Sequence, residues 1–73
     1  MSDESARAAL RDALSALVER GETVGVAATN HQMATARLFD LARQLRDEQH
    51  PEANVAWIEE GGALKYVLAP SMH

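Results

Sequence analysis

Apolar residues recur at three- and four-residue intervals at Ala6, Leu10, Ala13, Leu14, Leu17 and Val18, while Arg7, Arg11, Asp12, Ser15 and Glu19 fall mostly elsewhere on the wheel. That spacing predicts an amphipathic helix over residues 5–20, about four turns long. Ser2-Asp3-Glu4-Ser5 supplies candidate N-caps and acidic groups at the positive end of the helix dipole, and Gly21 is placed to stop it. A second apolar stripe, Ala34, Leu38, Leu41, Ala42 and Leu45, widened by Met33 and Phe39, predicts a helix over 31–49. Thr29 and Asn30 are its candidate caps. Pro51 ends it, because proline disfavours helical geometry at His50. Between the helices, Thr23-Val24-Gly25-Val26-Ala27-Ala28 is β-branched enough for a short strand at 23–28, although its alanines fit a helix equally well.

From residue 54 the period changes to two. Val55-Ala56-Trp57-Ile58-Glu59-Glu60 and Ala63-Leu64-Lys65-Tyr66-Val67-Leu68 flank Gly61-Gly62, a dipeptide suited to the positive φ angles of a tight turn. A two-residue loop pairs Trp57 with Tyr66, Val55 with Leu68 and Glu59 with Leu64, within a hairpin over 54–69. That face is mostly large and apolar. The other carries Ala56, Ile58, Glu60, Ala63, Lys65 and Val67. Because a lone hairpin is marginal in water, the heavy face needs a cover, and the two helical stripes can provide it. The expected architecture is therefore α+β, a single domain with two amphipathic helices packed on a small antiparallel sheet, the middle segment being a candidate third strand.

Length and charge narrow the picture. A chain of 73 residues buries only about 60% of its unfolded surface, so a homodimer is a natural means of reinforcement. There is no cysteine, which removes disulfides, thiolate zinc sites and thiol chemistry. Eleven acidic against seven basic residues give a formal charge of −4, which disfavours nonspecific attraction to nucleic acid or anionic membrane. No apolar run approaches membrane-span length and Met1-Ser2-Asp3-Glu4 is unlike a signal peptide, so a cytoplasmic protein is expected. Alanine-rich, lysine-poor usage suggests a bacterial or phage gene.

Catalytic signals are weak. His31, His50 and His73 show no metal-ligand spacing, and Ser2, Ser5, Ser15 and Ser71 lack a nucleophile context. The carboxylate pairs Asp47-Glu48 and Glu59-Glu60 fall at a helix end and beside a turn, where solvated carboxylates are the rule. The expectation is no catalytic residue, no metal and no cofactor.

Arg37, Arg43 and Arg46 lie on the second helix with Gln44, and Asn30, Arg37 and Gln44 are seven apart. Arg, Asn and Gln are the residue types that read base edges in a major groove. Asp40 can pair with Arg37 and Arg43, and Asp47 with Arg43, which is the purely structural use of these charges. A helix followed by a glycine-turn hairpin ending Leu64-Lys65-Tyr66-Val67-Leu68 resembles the helix-then-wing order of winged-helix domains, over about the last forty residues of the sequence. That resemblance implies a DNA-binding regulator using Asn30, Gln32, Arg37, Gln44 and Lys65. The small residue and glycine of the usual helix-turn-helix turn do not align with Val24–Gln32, and Asp40 and Asp47 interrupt the basic stripe.

The leading expectation is a small acidic protein-interaction module, a regulator, inhibitor or accessory factor that docks on a protein partner. Phe39, Trp57 and Tyr66, the only aromatic residues, and Arg37 are its candidate contacts. DNA binding is the alternative.

Overall fold

The computed structural model of the protein describes residues 2–69, so Ser71 and His73 lie outside the described residues. Helix α1 spans Ser2–Arg20, strand β1 Gly25–Ala27, a 3-10 turn Ala28–His31, helix α2 Thr35–Gln49, and strands β2 and β3 Val55–Glu60 and Ala63–Leu68. The sheet is antiparallel in the order β1-β3-β2. Both helices lie on one of its faces, which is the α+β arrangement expected from the periodicity. Among the described residues, no helix is long and apolar enough to cross a membrane.

Helix α1 buries Ala6, Leu10, Ala13, Leu14 and Leu17, the stripe its spacing dictates, while Val18 remains 39% exposed at the margin. It stops at Gly21, whose φ of 69° is left-handed and whose N–H donates to the Leu17 carbonyl at 2.9 Å. Helix α2 contributes Leu38, Leu41, Ala42 and Leu45. Strand β3 is central. It sends Leu64 and Tyr66 into the same core, joined by Val26 of β1 and Val55 of β2.

Helix α2 begins at Thr35, four residues later than the apolar stripe suggested. Ala28 is buried with Val26, which commits the chain to a sharp turn just after β1. Residues Ala28–His31 close that turn as a single 3-10 element, with Gln32 N donating to Thr29 O and Met33 N to Ala28 O, each at 3.3 Å. Gln32 then takes a left-handed φ of 54°, which no helix interior accommodates. Thr29 and Asn30 therefore sit inside the turn and cap nothing. Ala34 is the N-cap, without a side-chain hydrogen bond.

The hairpin has the register Val55–Leu68, Trp57–Tyr66 and Glu59–Leu64. Leu68 belongs by alternation to the helix-facing side, yet it lies past the cover of the helices and is 64% exposed. Tyr66 joins both layers: it is buried, and its hydroxyl donates to the Ala42 carbonyl of α2 at 2.6 Å. Burial raises the Tyr66 phenol above its ordinary pKa of 10.0, against a smaller pull downward from the Arg46 charge. Because the folded value exceeds the unfolded one, this contribution to stability is complete below about pH 10 and fades as pH rises beyond it. The thermal midpoint is expected to drop between neutral and strongly alkaline buffer, and Tyr66→Phe to drop distinctly less. Equal alkaline losses in the two proteins would show that Tyr66 does not govern the transition.

Candidate functional site

Phe39 and Arg46 lie seven residues apart on α2, so they share the flank of the helix that overhangs β2. Trp57, in the middle of β2, rises to meet them. Its ring packs edge-on against Phe39 at a centroid distance of 4.9 Å, and on its other side against Tyr66 at 6.5 Å. The Arg46 guanidinium stands 5.6 Å from the Trp57 ring centroid, a cation–π contact, and its Nη1 donates to the Val55 carbonyl at 3.3 Å. Phe39, Arg46, Val55, Ala56 and Trp57 line an open groove of about 350 Å³.

Two donors beside this groove are unsatisfied. Trp57 Nε1 is shielded from solvent and has no acceptor among the described residues. Arg46 Nε lies 2.8 Å from Asp47 Oδ1 as an ion pair, but the approach is too oblique for a hydrogen bond. A buried donor without an acceptor costs about 1–3 kcal/mol.

The four candidate contacts separate. Phe39, 38% exposed, and Trp57, half-buried, form the groove. Tyr66 stands behind Trp57 as core. Arg37 lies elsewhere: its Nη2 donates to Asp3 Oδ2 at 2.8 Å, tying α2 to the first turn of α1. That hydrogen bond lowers the Asp3 carboxyl below its ordinary pKa and raises the Arg37 guanidinium. Arg46, not Arg37, is the arginine of the groove. Its seven-residue spacing from Phe39 puts it on the same flank of α2, a mark that singles it out only once that flank is known to face β2.

The residues of the DNA alternative are spread over the 3-10 turn and its cap, α2 and β3. Asn30 and Gln32 belong to the 3-10 turn and its cap, off the helix that carries Arg37 and Gln44. Gln44 Oε1 accepts from Arg7 Nη2 at 3.3 Å, again bridging to α1. Lys65 alternates with the buried Leu64 and Tyr66, so it projects from the sheet face opposite the helices, where its Nζ pairs with Glu60 at 3.0 Å. Asp40 pairs with Arg43 as the sequence suggested, whereas Asp47 pairs with Arg46.

Ser5 and His31 meet across the α1 terminus and the 3-10 turn, sharing a 2.8 Å hydrogen bond between Oγ and Nδ1. The bond anchors the turn to the helix. His50 follows α2, its backbone N–H donating to the Arg46 carbonyl. Among the described residues, no group of three or more His, Cys, Asp or Glu side chains is placed to hold a metal ion. No family model, curated protein or solved structure matches this chain.

Proposed function

We propose that this chain is a non-enzymatic docking module that binds a protein surface through the Phe39–Trp57–Arg46 groove and the adjoining edge of β2. One observation carries the reading. The largest aromatic side chain is held half-buried at the open edge of the sheet, between a second aromatic ring and an arginine. Trp and Arg are the residue types that concentrate binding energy in protein interfaces, and an open strand edge adds backbone groups for pairing. Asp47, paired with Arg46, and Glu59, on the same strand face as Trp57, give this apolar centre an acidic border, which favours correct partners and repels wrong ones. We place its action in the cytoplasm, where a chain without cysteine loses nothing to the reducing environment.

A DNA-binding regulator is the second reading, and the element order favours it. Helix, short strand, turning element, helix and hairpin, with the central strand last in the chain, is the winged-helix order. Charge opposes it. Asp40, Asp47 and Glu48 on α2, and Glu59 and Glu60 next to the hairpin turn, put carboxylates where phosphates would have to lie.

A photo-crosslinking residue at Ala56 is expected to label a protein in an extract of the source cell, with the label reduced by Arg46→Ala. The same residue at Asp12, on the exposed side of α1, is expected not to capture that protein. Equal capture from both positions, or salt-sensitive binding to random duplex lost on Arg37→Ala, would reject docking through the groove.

A further inference from the structure

We infer that the occupant of the open β2 edge is a second copy of this chain, whose β2 pairs antiparallel with the first about a twofold axis through Ile58. The inference deepens the docking reading by naming the partner. In a hairpin closed by a two-residue loop, Glu60 and Ala63 form the last hydrogen-bonded pair, so Ala56, Ile58 and Glu60 turn their backbone groups toward β3. Val55, Trp57 and Glu59 turn theirs outward. The groups of Val55 are already engaged, its N–H with the Ala53 carbonyl and its carbonyl with Arg46. Trp57 and Glu59 are left with outward groups that have no partner among the described residues, two residues apart. An antiparallel partner placed Trp57 against Glu59 satisfies all of them at once and leaves the Arg46–Val55 contact intact.

Side chains on both faces of the sheet fit this register. On the face away from the helices, Ile58 is 42% exposed and meets its own copy at the axis, in the closely approached, non-hydrogen-bonded kind of pair. On the helix side, Glu59 of one chain arrives beside Trp57 of the other, over which Arg46 stands 5.6 Å away. Each copy thus contributes an anion where the other holds a cation, and the groove beside Trp57 is closed. Asp47 also neighbours Arg46, so the guanidinium lies between two carboxylates. The contact is isologous and closes on itself, which ends growth at two chains.

Sedimentation equilibrium over a wide concentration range, paired with amide exchange, tests this. The expected result is a reversible monomer–dimer equilibrium in which the Trp57 and Glu59 amides gain protection with concentration, while those of Ile58 and Glu60 stay protected throughout. Glu59→Pro, which removes an outward N–H and leaves the β2–β3 ladder whole, is expected to weaken association about tenfold or more. Ile58→Glu places like charges together at the axis and is expected to abolish it, with a native circular dichroism spectrum. Leu68→Ser, an apolar loss away from this edge, is expected to leave it unchanged. A monomer at every concentration overturns the inference, as does a dimer whose Trp57 and Glu59 amides stay unprotected or which survives Ile58→Glu. A monomer that still crosslinks a different protein from Ala56 overturns the second copy while the docking reading stands.

Discussion

Tyr66→Ala is expected to remove a large part of the protein's total stability. The side chain is 2% exposed on the central strand, touching both layers of the fold. Truncating a large buried aromatic costs about 3–5 kcal/mol. At 0.05–0.15 kcal/mol per residue, a chain of 73 residues has a total stability of only about 4–11 kcal/mol. The vacated space lies between α2 and the sheet, and Trp57 would lose the ring it leans on. Tyr66→Phe separates the two parts of the role. It keeps the ring and loses only the hydroxyl bond to Ala42, whose carbonyl retains its acceptor role within the helix. It is expected to cost about 1 kcal/mol. Urea titrations followed by tryptophan fluorescence measure both. A Tyr66→Ala protein within 1 kcal/mol of its parent, on the scale of that single hydrogen bond, would mean the core does not depend on this ring.

The second large effect is expected at the hairpin turn. Gly61 and Gly62 both take left-handed angles, with φ of 61° and 81°. Space is not the constraint, since a Cβ on either would meet nothing within 4 Å. Backbone conformation is the constraint, and it disfavours a side chain by about 1–2 kcal/mol per residue, most strongly for a β-branched one. Replacing both glycines with valine is expected to cost about 2–4 kcal/mol and to release the Glu60 and Ala63 amides to exchange. Gly61→Asn is expected to be nearly neutral, because asparagine is favoured at that position of such turns. Thermal melts of the two variants, compared with the parent, decide the matter. A double-valine protein that melts with the parent would show that another turn replaces this one at little cost.

The hairpin was the most legible part of the chain because its determinants are local. A two-residue loop with two glycines leaves one register, and the period of two then assigns every side chain to a face. Helix α1 was legible for the same reason, its stripe being bounded by an acidic first turn and a glycine. The start of α2 was not. Thr29 and Asn30 are good caps by local chemistry, but the burial of Ala28 in a core assembled from distant segments draws them into a 3-10 turn instead. For the site, Phe39 and Trp57 stood out as residue types, whereas choosing between Arg37 and Arg46 required knowing which side of α2 faces β2.

The amino-acid sequence by itself determined the secondary elements from Val55 onward, the apolar faces of both helices and the acidic balance of the surface, since each depends on spacing or composition alone. Tertiary structure decided the relations between segments far apart in the chain: β1 beside β3, Arg37 bound to Asp3, Gln44 to Arg7, and Arg46 over Trp57. The physical reason is that a helix offers several flanks of similar polarity to its neighbours. Which flank meets which partner is set by the packing of the whole core and is not encoded in any short stretch of it.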